Sequence, residues 1–248
     1  MRCIYISPHF DDAILSCGGL IWEQTQKGNP VEIWTVCAGD APPGTPSRMA
    51  KNIHNEWGTV TAEETVLLRQ GEDRVAASCV GAGVFHFNTP DCIYRRSPQG
   101  ILLYPSGVFT PWNPLEKDIH TEIAAALTSR LQPDDVVVCP LAIGGHIDHM
   151  LTRRAVESLR LPLLYYADIP YLLYRPKSLL FITSGLETIT HRVSGDGLRA
   201  WRAGIEAYRS QITMLFKTTR RMRVAISRYW ESRHGIRLWH ATKTKKWG

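Results

Sequence analysis

Residues 2–21, RCIYISPHFDDAILSCGGLI, and residues 135–150, DVVVCPLAIGGHIDHM, decide how this chain is read. Each begins with an apolar run of strand length and passes through a polar turn. In the first, apolar residues then return at helical spacing, at Ile14, Leu15, Leu20 and Ile21. The VVVC run has no polar alternation, which is the pattern of a strand buried on both faces. Strand, turn and helix in repeated order imply a parallel sheet with helices packed on it. We therefore expect an α/β, Rossmann-like layered fold with a mostly parallel central sheet.

Outward from these stretches, residues 31–38 (VEIWTVCA) form a second strand, and the Pro/Gly-rich residues 39–46 continue neither element. A polar, helix-compatible stretch to about Val80 precedes a strand at 84–88. The Pro-, Gly- and Arg-rich loop from Thr89 to Pro114 is a candidate substrate collar. Helical periodicity covers 115–131 and about 148–159, with a strand at 161–167; residues 178–194 read as β-rich and 196–230 as helical. No internal repeat or low-complexity segment occurs, and the expectation is one domain over 1–248 with a basic C-terminal segment at about 217–248.

Composition excludes several classes. At 44% hydrophobic and 21% charged residues the chain resembles ordinary globular proteins, and its apolar runs are far short of a bilayer span. The six cysteines are scattered without a CxxC pair, which points to reduced thiols. The amino terminus lacks the pattern of a secretory signal, so a cytoplasmic protein is expected. The net charge of +6 is uneven: ten Lys or Arg and one Glu lie from Lys217 onward, leaving −3 for the rest. With Tyr229, Trp230, Trp239 and Trp247, this tail reads as an amphipathic helix docked on the domain with a solvated cationic face. Weak contact with an anionic surface is the alternative, and nucleic acid is disfavoured.

In α/β sheets ligands bind outside the carboxyl ends of the strands, and two such turns carry unusual chemistry: Pro8-His9-Phe10-Asp11-Asp12 and Gly144-Gly145-His146-Ile147-Asp148-His149. His9 and Asp12, three apart at a strand-to-helix turn, can converge on one cation, with His149 as a third ligand from the neighbouring turn. Two imidazoles and a carboxylate suit Zn2+, with Fe2+ or another divalent ion as alternatives, and leave a position for water, whose pKa such an ion lowers from about 15.7 to about 7. Asp11 then stands as general base. His146 either stabilises the oxyanion or protonates the leaving amine, with Asp148 holding its imidazole. An Asp-Asp pair after a strand is by itself more often a helix cap, and a HxxH pair is often a surface feature. Their joint placement after two buried strands favours a metal site. Asp168 follows the 161–167 strand and is expected to line the cleft. Gly18-Gly19 lies inside the helical pattern rather than at its entrance, which favours close packing over a phosphate cradle.

SPHFDDAILSCGG followed far downstream by GGHIDH resembles the PIG-L/LmbE-type de-N-acetylase family. The resemblance implies a Rossmann-like fold, a zinc ion and removal of N-acetyl groups from glucosamine-containing compounds. It implies His9, Asp12 and His149 as metal ligands, Asp11 as base, and His146 and Asp148 in the second catalytic role. Similarity in Arg69-Gln70-Gly71-Glu72-Asp73, Thr89-Pro90-Asp91 and YYADIPY at 165–171 suggests Arg69 and Asp91 as substrate contacts, and AYRSQ at 207–211 looks like a further family element. The common PHPDDE is here PHFDDA, with Phe10 and Ala13 substituted, which loses no proposed ligand or base. The substrate implied is a small N-acetylated aminosugar or glycoconjugate. A non-haem iron enzyme on the same donor set, or a non-catalytic nucleotide- or polyanion-binding protein, are the competing classes; the first usually sits in a β-sandwich, and the glycine fingerprint of a nucleotide site is absent.

Overall fold

The structure is a computed structural model, and it describes residues 1–241. Elements follow in chain order: β1 (Cys3–Ser7), α1 (Asp12–Gln26), β2 (Val31–Thr35), α2 (Arg48–Trp57), α3 (Ala62–Val80) and β3 (Gly83–His86). After a 3₁₀ turn at Pro114–Glu116 come α4 (Ile119–Thr128), β4 (Val136–Pro140), α5 (Ile147–Glu157), β5 (Leu163–Tyr166), α6 (Tyr171–Tyr174) and α7 (Ser178–Ile182). The described chain ends with β6 (Leu186–Arg192), α8 (Gly195–Ala207), α9 (Arg209–Phe216), α10 (Thr219–Glu231) and β7 (Gly235–Ala241).

The seven strands form one sheet in the order β3-β2-β1-β4-β5-β7-β6. β1 to β5 pair in parallel, whereas β7 pairs antiparallel with both β5 and β6. The mostly parallel α/β sheet read from the sequence is therefore present, with an antiparallel edge. β1 lies between β2 and β4, and the chain order reverses there, so the turns after β1 and β4 open on one crevice. At the opposite end Arg2 ties the strands together, donating to Asp135 ahead of β4 (2.7 and 3.0 Å) and to Glu32 on β2 (2.9 Å).

The sheet is buried under helices. Ile4, Tyr5, Ile6, Ile33, Trp34, Val137 and Val138 are at most 1% exposed, so both pleat faces of the central strands are core. Trp201 of α8 packs against α1 and donates its indole N–H to Ile14 O at 2.8 Å. A Cβ on Gly18 would meet Trp201 Cδ1 at 2.6 Å, so Gly18 serves helix packing, as its position in the periodicity suggested.

Several boundaries differ from the sequence reading. The stretch before Val80 is two helices, separated where Thr61 accepts from Glu64 N and caps α3. Residues 178–182, read as β-rich, are helical, and 196–230 is three helices broken at Tyr208 and Lys217. β7 was not anticipated: its alternation of buried Ile236 and Leu238 with half-buried Arg237 was read as part of a basic tail. Within that tail α10 buries Met222, Ile226 and Tyr229 and leaves its arginines exposed; residues 242–248, which include Trp247 and three lysines, lie outside the described residues.

Candidate active site

The turn from β1 into α1 is shaped by Ser7, whose hydroxyl accepts from Ala13 N at 3.0 Å. Asp12 Oδ2 accepts from His9 N at 2.8 Å, folding the turn back on itself. Asp11 occupies the N-cap position of α1, yet its side chain caps nothing; its Oδ1 instead meets Arg69 Nη2 of α3 at 3.2 Å. The helix-cap reading of the Asp-Asp pair is thus wrong for the Asp11 carboxylate, which faces the cleft.

The second turn follows β4. Gly144 has φ +95° and a Cβ there would fall 2.8 Å from the Tyr171 ring, so only glycine lets the chain pass beneath that ring. His146 then caps α5, its Nδ1 accepting from Asp148 N at 3.2 Å. That bond assigns the lone pair to Nδ1 and leaves Nε2 to carry the proton of the neutral ring.

These turns bring His9, Asp12 and His149 together. Asp12 Oδ2 lies 3.3 Å from His9 Nδ1 and 3.3 Å from His149 Nε2. Two ligand atoms each about 2.1 Å from one tetrahedral ion stand about 3.4 Å apart, so the spacing is that of co-ligands. His149 Nε2 is buried and has no hydrogen-bond partner, an unsatisfied ring nitrogen that a cation would satisfy. His146 forms a second possible donor set with His9 and His149, its ring centroid 4.8 Å from that of His9 and 5.3 Å from that of His149.

Behind the two imidazoles stand carboxylates. Asp168 Oδ1 meets His149 Nδ1 at 2.7 Å, and Asp148 Oδ2 meets His9 Nε2 at 3.0 Å. This corrects two expectations. Asp168 is 0% exposed, and its Oδ2 accepts from Ile143 N, so it sits behind His149 and not on the cleft wall. The Asp148 carboxylate orients His9 rather than His146, because α5 turns it inward toward Arg95 and the Cys92 N–H. Arg95, buried between Asp148 and Glu116 with Tyr104 bonded to the same glutamate, was missed in the sequence. Its only signal was an arginine pair in a loop.

Arg69 is 5% exposed, stacked over Trp57 and Phe10 at 4.6 and 5.2 Å from their ring centroids, and its Nη1 lies 4.0 Å from Asp91 Oδ2. Both Arg69 and Asp91 line the cleft. The rest of the Arg69–Asp73 motif is structural. Glu72 accepts from Ser210 N and Oγ, and Asp73 accepts from Tyr208 at 2.7 Å, which joins it to AYRSQ. The 89–114 loop supplies Asp91, Ile93, Val108 and Phe109 to the cleft wall, in keeping with a collar, whereas Trp112 packs on Arg154 away from it.

The electrostatics favour added positive charge. Burial opposes ionisation of Asp12, but His149 and His9 hold it well below the usual carboxylate range. Burial likewise opposes protonation of His149, yet Asp12 and Asp168 raise it to about 9, and His9 is raised by Asp91, Asp12 and Asp148. Burial pushes the Asp11 carboxyl up to about 6, with Arg69 opposing. Burial and the neighbouring His9 pull His146 well below the ordinary histidine value, so its ring is neutral at pH 7. Residues arranged this way fit a divalent cation held by His9, Asp12 and His149, with Asp11 and His146 beside it.

Residues 4–159 match the family model described as PIG-L: GlcNAc-PI de-N-acetylase. The chain is 29% identical over 187 residues to the 2'-N-acetylparomamine deacetylase of Niallia circulans and 27% identical over 179 residues to that of Streptomyces fradiae. Each alignment covers 68% of this chain but only 66% and 57% of those relatives. Among solved structures, the zinc-inhibited form of teicoplanin deacetylase Orf2 superposes with a TM-score of 0.83 at 25% identity, covering 99% of this chain and 100% of that one.

Proposed function

Since the chain belongs to the PIG-L (GlcNAc-PI de-N-acetylase) family, we propose that it is a metal-dependent N-deacetylase that removes an acetyl or other small acyl group from the amine of an aminosugar-containing compound. The observation that carries this reading is the meeting of His9, Asp12 and His149 at co-ligand spacing beside the uncapped carboxylate of Asp11, with His9, Asp11 and Asp12 lining one cleft and His149 buried next to them. The named activities of the relatives, on N-acetylparomamine and teicoplanin, support an aminosugar set in a larger molecule.

A divalent ion on His9, Asp12 and His149, zinc first by its donor set and Fe2+ second, would supply Lewis acidity toward the amide and lower the pKa of water to about 7. Asp11 takes the proton of the attacking water. Arg69, bonded to its Oδ1, keeps that carboxylate turned to the cleft. His146 donates from Nε2 to the amide oxygen as it becomes an oxyanion; a neutral ring whose Nδ1 is occupied by Asp148 N is built for donation. When the C–N bond breaks, the proton held by Asp11 passes to the departing amine, and acetate and free amine remain. Asp148 and Asp168 work through His9 and His149, fixing which ring nitrogen carries the lone pair. Arg69 and Asp91 contact the sugar. No helix of the described residues is long and apolar enough to cross a membrane, and all six cysteines carry free thiols.

The test is acetate release from N-acetylglucosamine, an N-acetylated aminoglycoside and an N-acetylglucosaminyl glycopeptide by chelator-stripped protein, before and after one equivalent of Zn2+ or anaerobic Fe2+. Excess ion is avoided because a relative has a zinc-inhibited form. Release that requires the ion supports the reading; ion-independent release, or none with any substrate, overturns it.

A further inference from the structure

We infer that the end of the cleft away from the metal cluster is a subsite for an anionic group on an apolar aglycone, held by Lys217 and Arg221. This rests on the deacetylase reading and adds the part of the substrate remote from the amide.

The cleft is larger than the chemistry requires. Its volume is about 780 Å³, in the upper part of the roughly 300–1,000 Å³ range of sites that enclose drug-sized ligands. One acylated sugar on Arg69 and Asp91 leaves much of it unfilled. The remainder has a definite direction, given by α9. Gln211 marks the near end, because the adjacent Ser210 is bonded to Glu72 on the same helix as Arg69. Met214 and Leu215 follow on the same face at helical spacing, and the cleft wall continues to Phe216 and Lys217. Six residues of helix span about 9 Å, so an apolar wall of that length separates the acidic end from Lys217.

The two ends differ in charge. Asp11, Asp12 and Asp91 face the near end, where Arg69 is already paired with Asp11. Lys217 and Arg221 line the far end, are exposed, and form no ion pair among the described residues. The amino-terminal end of the 13-residue helix α10 adds its partial positive charge there. An apolar wall closed by two unpaired cations is complementary to an apolar group that ends in an anion.

Lys217 has φ +69° and ψ −38°, a conformation suited to glycine, at the point where α9 gives way to α10. That φ is the one by which a helix ends, with the Lys217 N–H closing on Thr213 O, and the turn carries Lys217 to the rim of the cleft.

The test compares three alkyl N-acetylglucosaminides with spacers about 9 Å long, ending in a methyl group, a carboxylate or a phosphate monoester. Acetate release by the metal-loaded full chain gives kcat/KM for each, and calorimetry gives Kd for the corresponding amines. The anionic compounds should be preferred over the methyl compound by roughly tenfold. The larger of the two anion effects identifies the source, carboxylate or phosphate. In Lys217→Gln/Arg221→Gln the ratio should fall to about one, and Lys217→Glu/Arg221→Glu should favour an ammonium-terminated spacer instead. Lys217→Gly should raise Tm by relieving the backbone and still reduce the preference, which guards against a merely misfolded variant. Equal handling of the three compounds by the wild-type protein, or a preference that survives in Lys217→Gln/Arg221→Gln, would overturn the subsite. If no compound releases acetate, the deacetylase reading fails, and the amine binding series alone then decides whether the anion site exists.

Discussion

Asp148 holds His9 across the sheet: its Oδ2 lies 3.0 Å from His9 Nε2, and its Oδ1 accepts from the buried guanidinium of Arg95. A ring that donates from Nε2 keeps its lone pair on Nδ1, on the side where Asp12 Oδ2 lies 3.3 Å away and a shared cation would sit. Asp148 is therefore a positioning residue.

Its removal should loosen the ion without emptying the site. Asp148→Asn keeps the shape but weakens the acceptor for His9 and the partner of Arg95, and metal affinity should fall by about 10- to 100-fold. Competition with a chelator of known affinity measures this. Unchanged affinity in a folded variant would deny Asp148 the positioning role.

Gly144 and Gly145 both have positive φ, +95° and +74°, but only at Gly144 would a Cβ strike a neighbour, Tyr171 at 2.8 Å. Gly145→Ala should cost about 1–2 kcal/mol from the backbone alone. Gly144→Ala should cost about 1–3 kcal/mol more from overpacking, and should lower activity because Tyr171 packs edge-on to His149. Equal destabilisation in urea melts would show that the Tyr171 contact is not what requires glycine.

The ion pair at the other end of the sheet sets an acid limit to stability. The Arg2 hydrogen bonds lower the pKa of Asp135 from 3.8, against a smaller opposing effect of burial. A folded-state pKa below the unfolded value means that the contribution is complete above about pH 4 and is lost as pH falls through the folded value. Asp135→Asn should thus cost about 1–2 kcal/mol at pH 7 and less at pH 3. A deficit that is the same at both pH values would refute the linkage.

Much of this was legible in the sequence because the two site turns join short, fully buried strands to helices, and burial on both faces leaves runs such as VVVC without ambiguity. The convergence of His9, Asp12 and His149 was expected from two polar turns after buried strands and from the family resemblance, and the β1–β4 pairing is what seats the two turns side by side. What lay behind them was not legible. Asp148 and His146 both sit in the first turn of α5, and sequence spacing does not say that the carboxylate turns inward to His9 while the ring stays at the cleft. Arg95 has no periodicity to betray it. β7 was hidden because a net-positive tail masked the buried alternation of Ile236 and Leu238. Lys217 and Arg221 were counted as charge in the same tail, and only the break between α9 and α10 brings them to the cleft.

The two adjacent carboxylates should separate cleanly. Asp12→Asn replaces a charged ligand that lies 3.3 Å from both imidazoles, and the purified protein should lose most of its ion by elemental analysis. His9→Ala/Asp12→Ala/His149→Ala should bind none. A full complement of metal in the triple variant would remove these residues as ligands.

The most direct measurement is acetate release by the metal-loaded protein and by Asp11→Asn, with metal content determined on the same samples. Asp11 is bonded to Arg69 and does not belong to the ligand triad, so Asp11→Asn should retain the ion and release acetate slower by about 10² to 10⁴, the usual general-base contribution. Acetate release at the wild-type rate by Asp11→Asn, or an undiminished rate after the ion is stripped from the wild-type protein, would contradict the account.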